Sequence, residues 1–403
     1  MRGHLRKRGE RWYAIIDAPQ AESTSKRKRK WVALKEARKS DAEKELTALL
    51  ELRNKGMMPD DSKRFTVEKF FEHWLAARTD LAAMTHQRYG DIVRTHITPA
   101  LGSIRLTSLK PLDIEMAYAT WKKSGRIQRR GGGLSARTIL HHHRLIHRAL
   151  KDALKWGLVA RNVADAVNVP RPTTVEMKTL DASQLSGFLQ AAQARTRYAV
   201  AFELLIYTGA RRGEVLGTRW ADVDFDGGSI AIRRSLEQTR AGLAFKSTKS
   251  RKERRISLPT TTLEALRRHK VAQAKARLAA GEQYKNGDLI FAEDDGSPIK
   301  PHKVGDSFRG IARSLGFKDV HLHSLRHSHA TLLLQANVHL KTTSHRLGHT
   351  TVGITSDLYT HALPALDREA ADGFADLLRT AGKPAEEAGN RDGSKMVAKP
   401  AFR

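Results

Sequence analysis

The sequence predicts a mixed multi-domain chain. A small β-sheet plus a helix comes first, an all-α block second, and last a predominantly α-helical block carrying a small antiparallel β-sheet. Three observations predict this. Alternating segments occur near the N-terminus and again at residues 229–259, which suits strands. Capped segments of helical period fill residues 64–167. Between the second and third blocks, "NVPRPTTVEMK" (residues 168–178) has two prolines and little apolar content, and reads as a linker.

Taken in order, residues 1–63 hold "RWYAIID" and "RKWVALK" as strands and "EARKSDAEKELTALLELRNKG" as a helix stopped at Gly56. The run Lys26, Arg27, Lys28, Arg29, Lys30 is placed in the connection between those strands. In the second block, Thr66 caps "TVEKFFEHWLAA", with Val67, Phe70, Phe71 and Trp74 on one face. Thr85 is expected to cap "THQRYGDIVRTHI", with Pro99 stopping that helix. A third helix ends near Trp121. The loop "SGRIQRRGGGLS", with Arg129 and Arg130, leads into a long helix from Ser135 to Trp156 closed by Gly157. Three consecutive histidines in its "HHHRLIHR" point in three directions, so solvent or phosphate contact is expected there and not chelation.

The third block spans residues 179–380, with a tail from 381 to 403. It opens with helices, one of which ends at Gly209. "ARRGEVLGTRW" follows, a glycine turn that exposes backbone N–H groups beside Arg211 and Arg212 and favours phosphate. Strand-like "SIAIRRS", "LAFKST" and "RRISLP" come next, with Lys246 and Lys249 near the turn between the last two. A helix covers residues 261–280, and another is expected from Ser324 to Ala336.

Seventy-two Lys+Arg against 43 Asp+Glu give a net charge of +29, well beyond what solubility requires. Nucleic acid is the expected partner, because cations gain by displacing counterions from phosphate. An acidic membrane surface fits less well, since the basic residues are spread along the whole chain. No apolar run approaches the roughly 18 residues of a membrane span. The basic start "MRGHLRKRGERW" has no apolar segment behind it, which predicts a cytoplasmic protein. The chain has no cysteine, which excludes disulfides, thiolate metal sites and a cysteine nucleophile.

"HLHSLRHSHA" (residues 321–330) concentrates four histidines and an arginine. His323 and Arg326 fall together at the first turn of a helix, beside its free N–H groups. His323 and His327 have the spacing of a ligand pair. However, no Asp, Glu or Cys lies between Val320 and Leu340 to complete or support a metal site. Downstream, His349 follows a glycine and Tyr359 stands ten residues beyond it.

In that order, "TGARRGE", the lysines, "HSLR", "LGH" and "DLYTH" resemble the catalytic domain of the tyrosine recombinases, the phage-type integrase family. The second block resembles that family's helical core-binding domain, and the first its arm-type DNA-binding domain. The resemblance implies Arg211 and Arg326 as paired arginines, Lys249 as the hairpin lysine, His323 and His349 as site histidines, and Tyr359 as nucleophile. It leaves Lys246 as the alternative to Lys249, and casts Glu214 as a brace for the turn. His321, His327 and His329 match no catalytic position. The implied activity is integration or excision of a mobile element through a 3'-phosphotyrosyl intermediate, with no cofactor and no metal. Implied partners are double-stranded attachment-type DNA and further copies of the chain, as a tetramer on DNA in the bacterial nucleoid. The need for a host DNA-bending protein or a directionality factor stays open. A type IB topoisomerase-like enzyme and a catalytically silent DNA-binding regulator are the competing readings.

Overall fold

The structure, a computed structural model, describes residues 3–9, 11–17, 29–34, 38–54, 65–125, 132–173, 178–247 and 253–349, with 351, 353, 371–375, 378 and 379. It divides into two compact units, Met1–Val175 and Glu176–Arg403.

The first unit begins with an antiparallel sheet of β1 (Gly3–Arg8), β2 (Arg11–Asp17) and β3 (Arg29–Ala33), in that order. Helix α1 (Lys39–Asn54) follows. Ala14, Leu34 and Ala42 form a small core with Leu5, Trp12, Leu46 and Leu50 packed on it. Strand alternation turns Arg6, Tyr13 and Trp31 to the opposite face. There the Arg6 guanidinium lies 5.5 Å from the Trp31 ring, and Tyr13 meets that ring edge-on at 6.1 Å. Strand β1 was not expected. Its "GHLRKR" is so charged that Leu5 alone marks the inward face, and pairing with β2 is what makes it a strand. Arg29 and Lys30 belong to β3 and not to the connection.

The helical part comprises α2 (Val67–Ala76), α3 (Ala83–Ile92), a π-turn (Val93–Ile97), α4 (Thr98–Leu101), α5 (Pro111–Ser124) and α6 (Ala136–Lys155). Thr66 caps α2 by accepting from the Lys69 N–H, and Phe70, Phe71, Trp74, Ile97, Trp121 and Ile139 fill the core. Two expectations fail here. Helix α3 starts at Ala83 without a side-chain cap, so Thr85 lies inside it. The helix also runs through Pro99. Across the π-turn the Thr98 N–H reaches the Val93 carbonyl, which places Pro99 in the first turn of α4, where its missing N–H costs little. The histidine row is corrected too. His142 is only 2% exposed and packs against Trp121 and His96 with ring centroids at 5.1 and 4.7 Å. Its neighbour His143 pairs with the Tyr118 hydroxyl at 2.9 Å.

The second unit comprises α7 (Ala182–Arg195), α8 (Ala199–Thr208), α9 (Arg212–Leu216), β4 (Val223–Asp224), β5 (Ser229–Ile232), β6 (Arg234–Thr239), β7 (Gly242–Ser247) and β8 (Arg254–Ser257). Then come α10 (Thr260–Ala280), α11 (Pro301–Ser314), α12 (Ser324–Gln335) and α13 (Leu340–Leu347). Phe188, Phe202 and Phe308 meet at the centre, together with Leu205, Ile230, Ile256 and Leu325. The strands form two antiparallel sheets, β4-β5-β8 and β6-β7. "SIAIRRS" is therefore cut at Arg233, where the chain changes sheets. Strands β7 and β8 do not pair with each other, and Lys246 sits within β7 opposite Ser235, not at a hairpin tip. Among the described residues, no helix is long and apolar enough to cross a membrane.

Candidate active site

Helix α8 ends at Gly209, which adopts the left-handed conformation (φ 62°). A Cβ there would meet His329 at 2.5 Å and Leu347 at 2.8 Å, so only glycine permits this close approach of α8, α12 and α13. Two residues on, Arg211 is the N-cap of α9. Glu214 accepts from the Arg211 backbone N–H at 3.0 Å and from its Nη1 at 2.9 Å. Arg211 is thus held at the turn by its own helix. Arg212 turns away, lying beside Gly305 and Arg309 of α11, where burial and Arg309 lower its pKa.

Helix α12 presents His323 at its N-cap and Arg326 in its first turn. Arg326 is 4% exposed and donates from Nη1 to the Gly209 carbonyl at 2.7 Å; its Nη2 is buried and has no partner among the described residues. Burial, and Arg211 close by, pull its pKa below the ordinary arginine range. His323 packs edge-on against His327 with ring centroids 4.7 Å apart. Burial, then His327, Arg326 and Arg211, push His323 down to about 4. His349 follows Gly348, the left-handed C-cap of α13, and is also pushed down to about 4 by burial, Arg326, Arg211, His327 and Arg254. Both imidazoles are therefore neutral at pH 7 and sit against permanent cations.

Four of the six expected catalytic side chains, Arg211, His323, Arg326 and His349, thus converge. Lys249, Tyr359, Lys26, Arg27, Lys28, Arg129 and Arg130 lie outside the described residues. Arg29 and Lys30 are located only by their backbone in β3. Lys246 is engaged elsewhere, with Nζ 2.5 Å from Glu237. His321 is exposed, and His329 is buried beneath Gly209 with its ring bonded to the Ile206 backbone. Two further residues stand here: His327, which matched no catalytic position in the sequence, and Arg254, which sequence reasoning missed. His327 is buried among the cluster, and among the described residues neither ring nitrogen has a hydrogen-bond partner. Arg254, the first residue of β8, is 5% exposed and donates from Nη2 to Glu214 at 2.5 Å and from Nε to the Arg346 carbonyl at 3.0 Å. Among the described residues, no group of three or more His, Asp or Glu side chains is arranged to hold a metal ion.

Two family models match the chain: the phage integrase family over residues 178–365, and the N-terminal SAM-like domain of phage integrases over residues 66–122. The chain belongs to the phage integrase family. It is a tyrosine-type site-specific recombinase of that family. A XerC-like tyrosine recombinase of Caldanaerobacter subterraneus is 24% identical, over 79% of this chain and 84% of the relative. An integrase of Streptomyces ambofaciens is 29% identical, over 73% of this chain and 76% of its own. The integrase of transposon Tn1549, solved with transposon right end DNA, shares the fold with a TM-score of 0.64 at 21% identity, covering 77% of this chain and all of that one. A lambda integrase tetramer on a Holliday junction aligns with a TM-score of 0.54 at 17% identity, over 86% of this chain and 95% of its own. The mostly helical architecture with small antiparallel sheets is thus that of the integrases.

Proposed function

We propose that this integrase cuts and rejoins double-stranded DNA at attachment-type sites, integrating or excising a mobile element, with Tyr359 as nucleophile. The Tyr359 oxygen attacks the scissile phosphorus, the P–O5' bond breaks, and the chain is held as a 3'-phosphotyrosyl ester while its 5'-oxygen takes a proton. Arg211 and Arg326 bind the nonbridging oxygens, where planar forks of permanent charge stabilise the added negative charge. His323 and His349, neutral in the free protein, donate to the same oxygens or carry the tyrosine's proton. Lys249 protonates the leaving 5'-oxygen. A new 5'-hydroxyl attacking the ester reverses the sequence and conserves bond energy, so the cycle needs no cofactor.

The observation that carries this reading is the convergence of Arg211 and Arg326 at the Gly209 turn, with the Arg326 Nη2 buried and, among the described residues, without an acceptor. A buried guanidinium nitrogen of this kind is suited to an anionic acceptor such as a phosphate oxygen. In the same reading, residues 1–63 are an arm-type DNA-binding domain using Lys26–Lys30, residues 64–167 a core-binding domain with Arg129 and Arg130 on DNA, 168–178 a linker, 179–380 the catalytic domain and 381–403 a tail. The protein acts as a homotetramer on DNA in the bacterial cytoplasm, with a DNA-bending protein and a directionality factor as candidate helpers.

The test is covalent capture of a nicked suicide substrate. Tyr359→Phe removes one hydroxyl, and is expected to keep DNA affinity while forming no covalent adduct. An adduct formed at the wild-type level would remove Tyr359 from the nucleophile's place.

A further inference from the structure

We infer that Arg254 is a positioning residue of the recombination reaction, a buried clamp that fixes the phosphate-binding Arg211 and the His349 turn to one frame. The inference rests on the assignment of Arg211 to the phosphate. A single guanidinium spans three elements. From β8, immediately after the segment that carries Lys249, its Nη2 reaches Glu214 of α9 at 2.5 Å, and its Nε reaches the Arg346 carbonyl of α13 at 3.0 Å. Its Nη1 faces Gly348, where a Cβ would lie 2.6 Å away, so the glycine before His349 is shaped around this side chain. Arg346 in turn donates to the Tyr207 carbonyl at 2.8 Å, tying the same frame to the end of α8 just before Gly209.

Glu214 is the joint. Its Oε1 accepts from the Arg211 Nη1, while its Oε2 accepts from both the Arg211 N–H and Arg254. The charged groups that face it are Arg211 from the turn, Arg254 from β8 and, farther off, Arg326 from α12. Burial by itself raises the Glu214 pKa, but the charge and hydrogen bond of Arg254, followed by Arg211, hold it below the ordinary carboxylate range. The carboxylate therefore stays ionised, and its two bonds to Arg211 are unaffected between pH 5.5 and 8.5. Removal of Arg254 leaves the burial and takes away the largest opposing influence, so the pKa climbs. Below that raised pKa, Glu214 carries a proton and no longer accepts fully from Arg211. The brace then fails as pH falls.

The experiment measures cleavage of a nicked suicide substrate at saturating DNA from pH 5.5 to 8.5, using full-length protein. Arg254→Met is expected to bind DNA within about threefold of wild type, to cleave about 10²-fold more slowly, and to gain an acid limb that wild type lacks. Adding Glu214→Gln, which cannot titrate, is expected to abolish that limb while the rate stays low. A residue serving only stability would lower the amount of active protein without reshaping the pH profile, so a wild-type profile in Arg254→Met overturns the inference. Arg254→Lys keeps a cation in the core but cannot reach Glu214 and the Arg346 carbonyl together. It is expected to cleave at an intermediate rate with a flat profile, and wild-type cleavage by this variant also overturns the inference, even if Arg254→Met does not fold. Arg211→Ala is measured in parallel. Wild-type cleavage there would reject the phosphate assignment itself, whatever Arg254 does.

Discussion

Asp152 in the first unit and Glu214 in the second are both buried carboxylates that accept from arginine, yet their surroundings differ in one respect. Asp152 on α6 takes the Trp74 indole N–H at 2.9 Å and the Arg78 guanidinium, which also pairs with Asp80 at 3.7 Å, so no positive charge is left over. Glu214 takes two guanidiniums directly, and a third, Arg326, stands near enough to feel its charge. The histidines follow the same division. His142 lies among rings, packed on Trp121 and His96, whereas His323 and His349 lie among cations. A buried carboxylate whose cation is fully matched holds the fold together. A surplus of buried positive charge raises the energy of the free protein and is relieved when an anion arrives, which is why the phosphate is proposed to bind there.

The largest expected effect comes from removing the surplus on one side and the balance on the other. Arg326→Ala takes away a buried cation that has no ion-pair partner among the described residues. It is expected to slow covalent capture by about 10²–10³-fold while leaving thermal stability near wild type. Arg78→Ala strands the Asp152 carboxylate, and is expected to destabilise the first unit by about 1–3 kcal/mol with capture by the folded protein unchanged. If each variant showed the other's phenotype in a paired melting and capture assay, the distinction between balanced and surplus charge would collapse.

An intermediate effect is expected from the ring-packed histidine. Burial first, then His96, His141 and Arg88, hold His142 at about 4, against about 6.5 in an unfolded chain. Between those values the unfolded state binds the proton and the native state does not. The contribution of His142 is therefore intact above pH 6.5 and is lost as pH falls toward 4. Hydrogen exchange of peptides covering α6, corrected for intrinsic rates, is expected to rise through that window in wild type. In His142→Phe, which keeps a ring against Trp121, the rise is expected to be smaller. An equal rise in both proteins would place the acid sensitivity on other groups, such as His96.

The same division explains what could be read in the sequence. Helix α12 was legible from end to end because its apolar register and its position after "HLH" are local facts. The convergence of Arg211 with Arg326 was legible only through resemblance, since 115 positions separate them and the contact is made through the Gly209 carbonyl. Nothing in "ARRGE" separates Arg211 from Arg212. Only the turn does that, sending one toward α12 and the other to α11. Arg254 was invisible for a related reason. In "RRISLP" two arginines alternate like any strand pair, and which of them points inward depends on pairing with β5, which places Arg254 inside and leaves Arg255 out. Pro99 and the charged β1 misled because each breaks a local preference that tertiary pairing overrides.

The smallest expected effect belongs to Lys246, and it tests whether a partnered cation can be set aside. Its Nζ is 2.5 Å from Glu237 on the neighbouring strand, with the lysine side chain 34% exposed. Such a pair contributes about 0.2–1 kcal/mol, and an amine held by a carboxylate is poorly suited to deliver a proton elsewhere. Lys246→Ala is therefore expected to lower stability by less than about 1 kcal/mol and to change cleavage by less than about threefold. Lys249→Ala is the reference, slowed by about 10²–10⁴-fold as for a lost general acid, and recovering on a substrate whose bridging 5'-oxygen is replaced by sulfur. The sulfur leaves as a thiolate and needs little help from an acid, so recovery reports the protonation step alone. Recovery of Lys246→Ala instead would move the acid into β7, and would show that the ion pair with Glu237 opens when DNA binds.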